Sequence, residues 1–374
     1  MKNFKAGNYI NQRTFKSFIP EEINRDWTLD DMEVIELLSQ ADRQLGRLDM
    51  YSEHTPNLDL FISMHVLKEA TKSSKIEGTK TNIEEALQDR EELEEEQRDD
   101  WEEVQNYISA LKSAIKSLDE LPLSSRLIKM AHKVLLKGVR GKHKIPGQFR
   151  TSQNWIGGAS ISDATFIPPP HQEVPRLMGD LEKFSHNTEI RLPHLLKIAL
   201  IHYQFETIHP FLDGNGRVGR LLITLYLVEQ GILKKPILYL SDFLERNRQL
   251  YYDNLMKVRN ADDIRQWFKF FLVGIIETAK GSITTLDNIM KLQKDVDAKI
   301  QGLGARASNA RKVINQLYIK PLTNAQKVAD QTQLSLPSAY KLVDELEKLG
   351  ILKEITGAKR GKQYWFDEYI NLFR

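Results

Sequence analysis

The 374-residue sequence predicts a mainly α-helical protein: a helical core with a small β-hairpin flap, plus a C-terminal winged helix-turn-helix domain. Three observations predict it. Apolar residues recur at helical spacing in most segments between Thr28 and Met290. One stretch, "GQFRTSQNWIGGASISDATFIPPPHQ", departs from that pattern with glycines, β-formers and three consecutive prolines. From about Ala305 the order becomes helix, two short helices joined by a turn, then a basic hairpin, which is the order of a winged-helix module.

The length exceeds what one simple core fills. The expected divisions are an N-terminal extension over 1–55, a helical region over 56–120, a helical core over 121–285, a linker helix over 286–304 and the winged-helix domain over 305–374. Formal net charge is +2, which implies no global pull toward nucleic acid or membrane. Cysteine is absent, which removes disulfides, thiolate catalysis and thiolate metal sites together and fits a reducing, cytoplasmic setting. The start "MKNFKAGNYI" has no apolar run of signal-peptide length. The most apolar span is broken by Glu229, Gln230, Lys234 and Lys235, so no membrane partner is expected.

Each element has its own signal. In "TLDDMEVIELLSQADRQLGRL", Thr28 is the expected N-cap, with Asp31 three residues on. In "NLDLFISMHVLKEATKSSKIEG", Leu60, Phe61, Met64 and Leu67 repeat at helical spacing and Gly78 is a natural stop. The acidic first half of "TNIEEALQDREELEEEQRDDWEEVQNYISALKSAI" reads as a solvated helix face or loop. Its second half places Trp101, Val104, Ile108, Leu111 and Ile115 on one helical face. A helix opens near Ser124. After the flap, helices resume in "LPHLLKIALIHYQFETI", "RVGRLLITLYLVEQG", "SDFLERNRQLYYDNLMKVRN" and "IRQWFKFFLVGIIETAKGSITTLDNIM".

Between two of these apolar helices lies "HPFLDGNGRVGR", His209 to Arg220. Pro210 and the glycines at 214 and 216 forbid a continuous helix through it. The chain turns tightly and enters a new helix near Arg217, with Val218, Leu221, Leu222, Leu225 and Tyr226 as its buried side. A glycine-rich turn opening a helix exposes unpaired N–H groups at the positive end of the helix dipole, which is an anion cradle. Arg217 and Arg220 lie on one turn and can face the same anion. Asp213 offers a carboxylate suited to Mg²⁺ bridging phosphates. A calcium loop is rejected because Thr224 stands where its glutamate belongs. A Walker loop is rejected because its GK(S/T) ending is absent. A purely structural corner does not account for so many polar groups on one turn.

The stretch matches, at every fixed position, the HPFx(D/E)GNGRxxR signature of the Fic family. The chain therefore resembles enzymes that transfer AMP from ATP to protein hydroxyls, over roughly residues 55 to 280. The resemblance implies that His209 is the general base, that Asp213 binds Mg²⁺, and that Gly214, Asn215 and Gly216 cradle the phosphates of ATP. It implies that Arg217 holds the β-phosphate and Arg220 the γ-phosphate. "SSKIEG" is similar to the family's inhibitory motif (S/T)xxxE(G/N), with Ser73, Glu77 and Gly78 at the fixed positions. In relatives carrying it before the core, the glutamate pairs with the second signature arginine, here Glu77 with Arg220. The flap should hold the target segment as an added strand, with Thr165, Phe166 and Ile167 docking its backbone. Asn247 and Tyr251 fall where the family places its adenine pocket; Tyr251 reads equally as core, and His202 as a structural histidine.

The partners implied are a target protein with an acceptor hydroxyl, with self-modification and a homodimer left open. The C-terminal module has a basic wing, "TGAKRGKQ", and Lys341 on its second helix, beside Asp344, Glu345 and Glu347. That balance leaves DNA and a protein partner equal. Two competing functions stay open: removal of AMP or transfer of another phosphate-containing group by the same site, and a DNA-binding regulator using the core as a nucleotide sensor.

Overall fold

The computed structural model describes residues 4–138, 143–358 and 360–374; Met1–Asn3 of the extension and Lys359 of the expected wing lie outside the described residues. The chain is mostly helical, as its periodicity requires. It opens on two strands inside the N-terminal extension, for which the sequence predicted no strand. β1 (Gly7–Asn11) and β2 (Lys16–Pro20) pair antiparallel, with Tyr9 opposite Phe18. Helix α1 (Met32–His54) follows. Its N-cap is Asp31 and not Thr28: the Asp31 carboxylate accepts the Val34 N–H at 3.1 Å. In the preceding segment the Trp27 indole donates to Ile23 O.

The core helices are α2 (Leu58–Ile76), α3 (Ile83–Leu87), α4 (Glu95–Ser117), α5 (Ser125–Leu135), α6 (Val174–His186), α7 (His194–Ile208), α8 (Asn215–Glu229), α9 (Ser241–Arg246), α10 (Arg248–Ala261) and α11 (Ile264–Gln301). Helix α7 is the centre: every residue after His194 is buried, which is why its sequence is apolar all round. Helix α8 packs against it and buries the five residues predicted for its inner side. In α4 the buried stripe is Val104, Tyr107, Ala110, Leu111 and Ala114, whereas Trp101, Ile108 and Ile115 are half-buried. Small residues admit closer helix approach, so the face turns toward them.

The expected hairpin at the flap contracts to a single antiparallel bridge between Ile156 and Phe166, with reciprocal bonds of 2.8 and 3.1 Å. Pro168, Pro169 and Pro170 cannot donate and end the ladder at once. Helix α11 is one unbroken helix of 38 residues. The boundary expected at 285 falls inside it, because Ile283, Leu286, Ile289, Val296 and Ile300 carry its buried stripe onward. The C-terminal elements are α12 (Ala307–Ile319), β3 (Leu322–Asn324), α13 (Ala325–Thr332), α14 (Leu336–Lys348), β4 (Lys353–Glu354), β5 (Gln363–Trp365) and α15 (Asp367–Ile370). The three strands form one antiparallel sheet in the order β3-β5-β4. Its apolar interior joins that of the core. Among the described residues, no helix is long and apolar enough to cross a membrane.

Candidate active site

Helix α7 stops because Pro210 cannot continue it, and His209 closes it in the left-handed region at φ +50°. The chain then turns through Phe211 to Gly214, whose φ of +74° opens α8 two residues before the predicted start. Asn215 closes the turn on itself: Oδ1 accepts the Phe211 N–H at 2.8 Å and Nδ2 donates to Phe211 O at 2.9 Å. Because α8 begins here, the N–H groups of Asn215, Gly216 and Arg217 have no partner within the helix. That of Gly214 is taken by the Asp213 carboxylate at 2.6 Å.

Three buried polar side chains fasten the turn, and sequence reasoning gave none of them a role. Arg150 donates from Nε to His209 O at 3.0 Å, and from Nη2 to Pro169 O and Ile208 O, tying flap to signature. Asn154 donates to His209 O and Phe211 O. His132 stacks on Phe211 with ring centroids 3.7 Å apart. Its Nδ1 accepts the Gly147 N–H, so the proton sits on Nε2, which donates to Asp213 O at 3.0 Å. For His132 the readable signal was a polar residue among apolar ones in a helix, which when buried demands a partner.

His209 lines a cavity of about 450 Å³ together with Glu77, Glu206, Gly216, Arg220, Thr165, Phe166, Tyr251 and Tyr252. Its Nδ1 is buried with no hydrogen-bond partner among the described residues. Burial, then the charge of Arg259, lowers its pKa to about 3, so the ring is neutral and able to accept a proton. The Arg220 side chain is 1% exposed and held by the end of α2. Its Nε donates to Ser73 Oγ at 2.8 Å, and Nη2 donates to Ser73 O at 2.9 Å and Glu77 Oε1 at 2.7 Å. Burial acts to raise the Glu77 pKa, but Arg220 outweighs it and leaves the carboxyl below its ordinary value. Gly216 makes room for this pairing, since a Cβ there would stand 2.2 Å from Glu77 Oε1.

Arg217 is also paired. Nη1 donates to Glu103 Oε2 at 3.1 Å, and Nη2 lies 3.7 Å from Asp213 Oδ1. Thus both arginines meet a carboxylate brought from outside the turn, Glu77 from the end of α2 and Glu103 from α4.

The sequence models of known families now decide the kinship. The Fic/DOC family N-terminal model matches residues 35–116, and the Fic/DOC family model matches residues 122–227. The chain belongs to the Fic/DOC family. Among its curated relatives, the probable protein adenylyltransferase aq_aa38 of Aquifex aeolicus is 28% identical over 243 residues, covering 63% of this chain and 70% of that protein. The protein adenylyltransferase Fic of Aedes aegypti is 35% identical over 125 residues, covering 33% of this chain and 22% of that protein. The match to the insect relatives thus spans less than a quarter of their length. A Fic family protein of Desulfovibrio desulfuricans superposes with a TM-score of 0.58 at 19% identity, over 91% of this chain and 98% of that one. A Fic domain-containing signaling protein of Bacteroides thetaiotaomicron gives 0.52 at 20% identity, over 68% of this chain and 97% of that one. At such identities these structures speak for the shared fold.

The remaining residues singled out in this Fic chain fall as follows. His202 is fully buried, with Nδ1 donating to Gly219 O at 2.9 Å and Nε2 accepting from Tyr251 OH at 2.8 Å. Tyr251 reaches the cavity, whereas Asn247 donates to Phe243 O and is not among the cavity's lining residues. Thr165 and Phe166 line the cavity; Ile167 O accepts the Phe18 N–H at 2.9 Å, so β2 already lies along the flap. Glu206 was missed altogether. It is 6% exposed, one turn before His209, with Oε1 unpartnered among the described residues. Burial, tempered by Arg220, raises its pKa to about 7. A Cβ on Gly219 would stand 2.2 Å from that oxygen, so Gly219 is the seat of Glu206.

Proposed function

We propose that this chain is a protein adenylyltransferase that moves AMP from ATP to a serine, threonine or tyrosine hydroxyl, its own included, and that Glu77 restrains it. The observation that carries the reading is the convergence in one cavity of a neutral imidazole, a free helix N-terminus and an arginine held by a carboxylate. The names of the relatives support the same activity.

The chemistry follows from the placement. The target hydroxyl oxygen forms a bond to the α-phosphorus, the bond to the bridging oxygen of the β-phosphate breaks, and pyrophosphate leaves. His209 takes the hydroxyl proton, a role its neutral state permits. The N–H groups opening α8 offer donors to the phosphates. Arg217 and Arg220 reach the β- and γ-phosphates once Glu103 and Glu77 yield them. A Mg²⁺ ion needs only one protein carboxylate when phosphates supply other ligands, and Asp213, with a side chain 42% exposed, fits that need. When bound there it neutralises phosphate charge. The restraint is electrostatic and steric: Arg220 cannot serve a phosphate while Glu77 occupies it, and the carboxylate repels the triphosphate.

For residues 305–374 the winged-helix reading is supported by element order and by a sheet closed by its last strand. Exposed Leu336 and Tyr340 on α14, next to Lys341, Asp344 and Glu347, give a mixed surface that suits a protein partner as well as DNA. The cysteine-free composition supports a cytoplasmic setting.

The test is label transfer. Wild type, Glu77→Gly and Glu77→Gly/His209→Ala are incubated with Mg²⁺ and ATP labelled at the α- or the γ-phosphorus. Strong α-label on protein with Glu77→Gly, little with wild type and none with the double variant supports the reading. Transfer of γ-label would replace it with a kinase-like reaction. Loss of label from a pre-modified target would favour removal of AMP.

A further inference from the structure

Helix α2 ends at Ile76 with Glu77 as its C-cap, and residues at every fourth position up to that cap form one slowly winding stripe. Phe61 stands at its start, edge-on to Tyr318 of α12 at 5.2 Å, with Tyr369 of α15 at 6.4 Å. Next comes His65, edge-on to Phe373 at 5.0 Å. Then Glu69 accepts from Tyr107 OH at 2.9 Å and from Ser241 N at 3.1 Å. Ser73 and Glu77 hold Arg220. One end of the stripe is therefore gripped by the C-terminal module while the other holds the signature arginine.

The chain leaving Glu77 is gripped as well. After the Gly78 turn, Glu84 of α3 pairs with Arg374 at 2.6 Å. Asp89 pairs with Lys320 at 2.7 Å and with Lys327 at 2.9 Å. Gln363 of β5 donates to Glu92. Glu77 thus sits between two attachments to the same module, an aromatic one before it and an ionic one after it.

We propose that residues 307–374 set the strength of the Glu77 restraint by holding the inhibitory segment on both sides of Glu77. This rests on the reading of Glu77 as a restraint. Displacing the module loosens α2 and α3 together, and the Glu77–Arg220 contact opens with them. A contact this local is governed by the stability of the segment that carries it. The ionic attachments are exposed and individually weak, so they act as a set.

The experiment cuts both attachments in the full chain with Phe373→Ala, Lys320→Glu, Lys327→Glu and Arg374→Ala, none of which touches the cavity. Hydrogen exchange across residues 58–92 reports the hold, and α-label incorporation reports the restraint, with Glu77→Gly as the fully released standard. Expected are exchange in 58–92 faster by at least tenfold and labelling at least fivefold above wild type. Asp89→Lys added to Lys320→Glu/Lys327→Glu should bring labelling back down by re-forming the pairs, which a merely misfolded chain cannot do. Unchanged exchange overturns the proposal, because the module then holds nothing. Faster exchange with labelling within twofold of wild type overturns it too, because the hold is then not transmitted. If Glu77→Gly itself stays unlabelled, the transferase reading is what has failed, and the exchange result still decides whether the module grips the segment.

Discussion

Glu206→Gln is predicted to stabilise the protein above about pH 4.5, with the full effect reached near pH 7. The carboxyl is buried, has an unpartnered oxygen, and its pKa is raised to about 7 from an ordinary 4.5. Between those values the unfolded chain has released the proton while the folded chain keeps it, so the fold binds more protons and stability falls as pH rises. Below about pH 4.5 both states are protonated and the group is neutral to folding. A shift of this size corresponds to a ceiling of ~3 kcal/mol, reached above about pH 7. Glutamine is the neutral isostere and removes the term. Thermal unfolding at pH 4 and pH 8 should show wild type and variant alike at the lower pH, with the variant higher by a few degrees at the upper. A gap of equal size at both values, or a variant weaker at pH 8, would refute the reasoning, since Glu206 would then be an ordinary ionised partner of Arg220.

Three further predictions follow from the same site. Glu77→Gly removes a charge-assisted bond of ~1–2 kcal/mol after allowance for a carboxylate about a third exposed, so α-label transfer should rise roughly 5- to 30-fold; titration of initial rate against ATP checks it. Glu103→Gln should tighten ATP binding by roughly three- to tenfold in calorimetry, because Arg217 no longer answers to a competing charge; weaker binding would instead make Glu103 the residue that positions Arg217. Arg150→Lys should cost roughly 2–4 kcal/mol, because an ammonium cannot span carbonyls on the flap and the signature turn together; melting temperature and label transfer should both fall.

Much of this was legible because the signature is dense in residues with narrow backbone or chemical meaning. Pro210, Gly214 and Gly216 dictate a turn, and the apolar run after it dictates a buried helix; in the structure His209 and Arg220 line one cavity, and Arg217 is not among its lining residues. Ser73 and Glu77 were singled out by motif spacing; the structure has Glu77 against Arg220, and adds a bond from Arg220 to Ser73 that the spacing did not announce. What stayed hidden depended on long-range partners. Glu206 looks like one acid in an apolar helix until Gly219 is brought against it. Glu103 falls in the stretch read only for its apolar face, and nothing local announces that it meets Arg217 more than a hundred residues away. The N-terminal hairpin is short and owes part of its order to Ile167 of the flap, a partner that local sequence does not announce. The boundary at 285 falls inside α11 because a long helix has no local stop, and its buried stripe runs on to Ile300.

His209 carries a last consequence. Its backbone is left-handed, its buried ring nitrogen is unpartnered, and its burial forbids charge. Each of these opposes folding. Glycine would relieve all three at once. Under the proposed reading of His209 as the base, a chain relieved of that role would gain a sturdier fold from glycine here, and chemistry is what keeps the histidine.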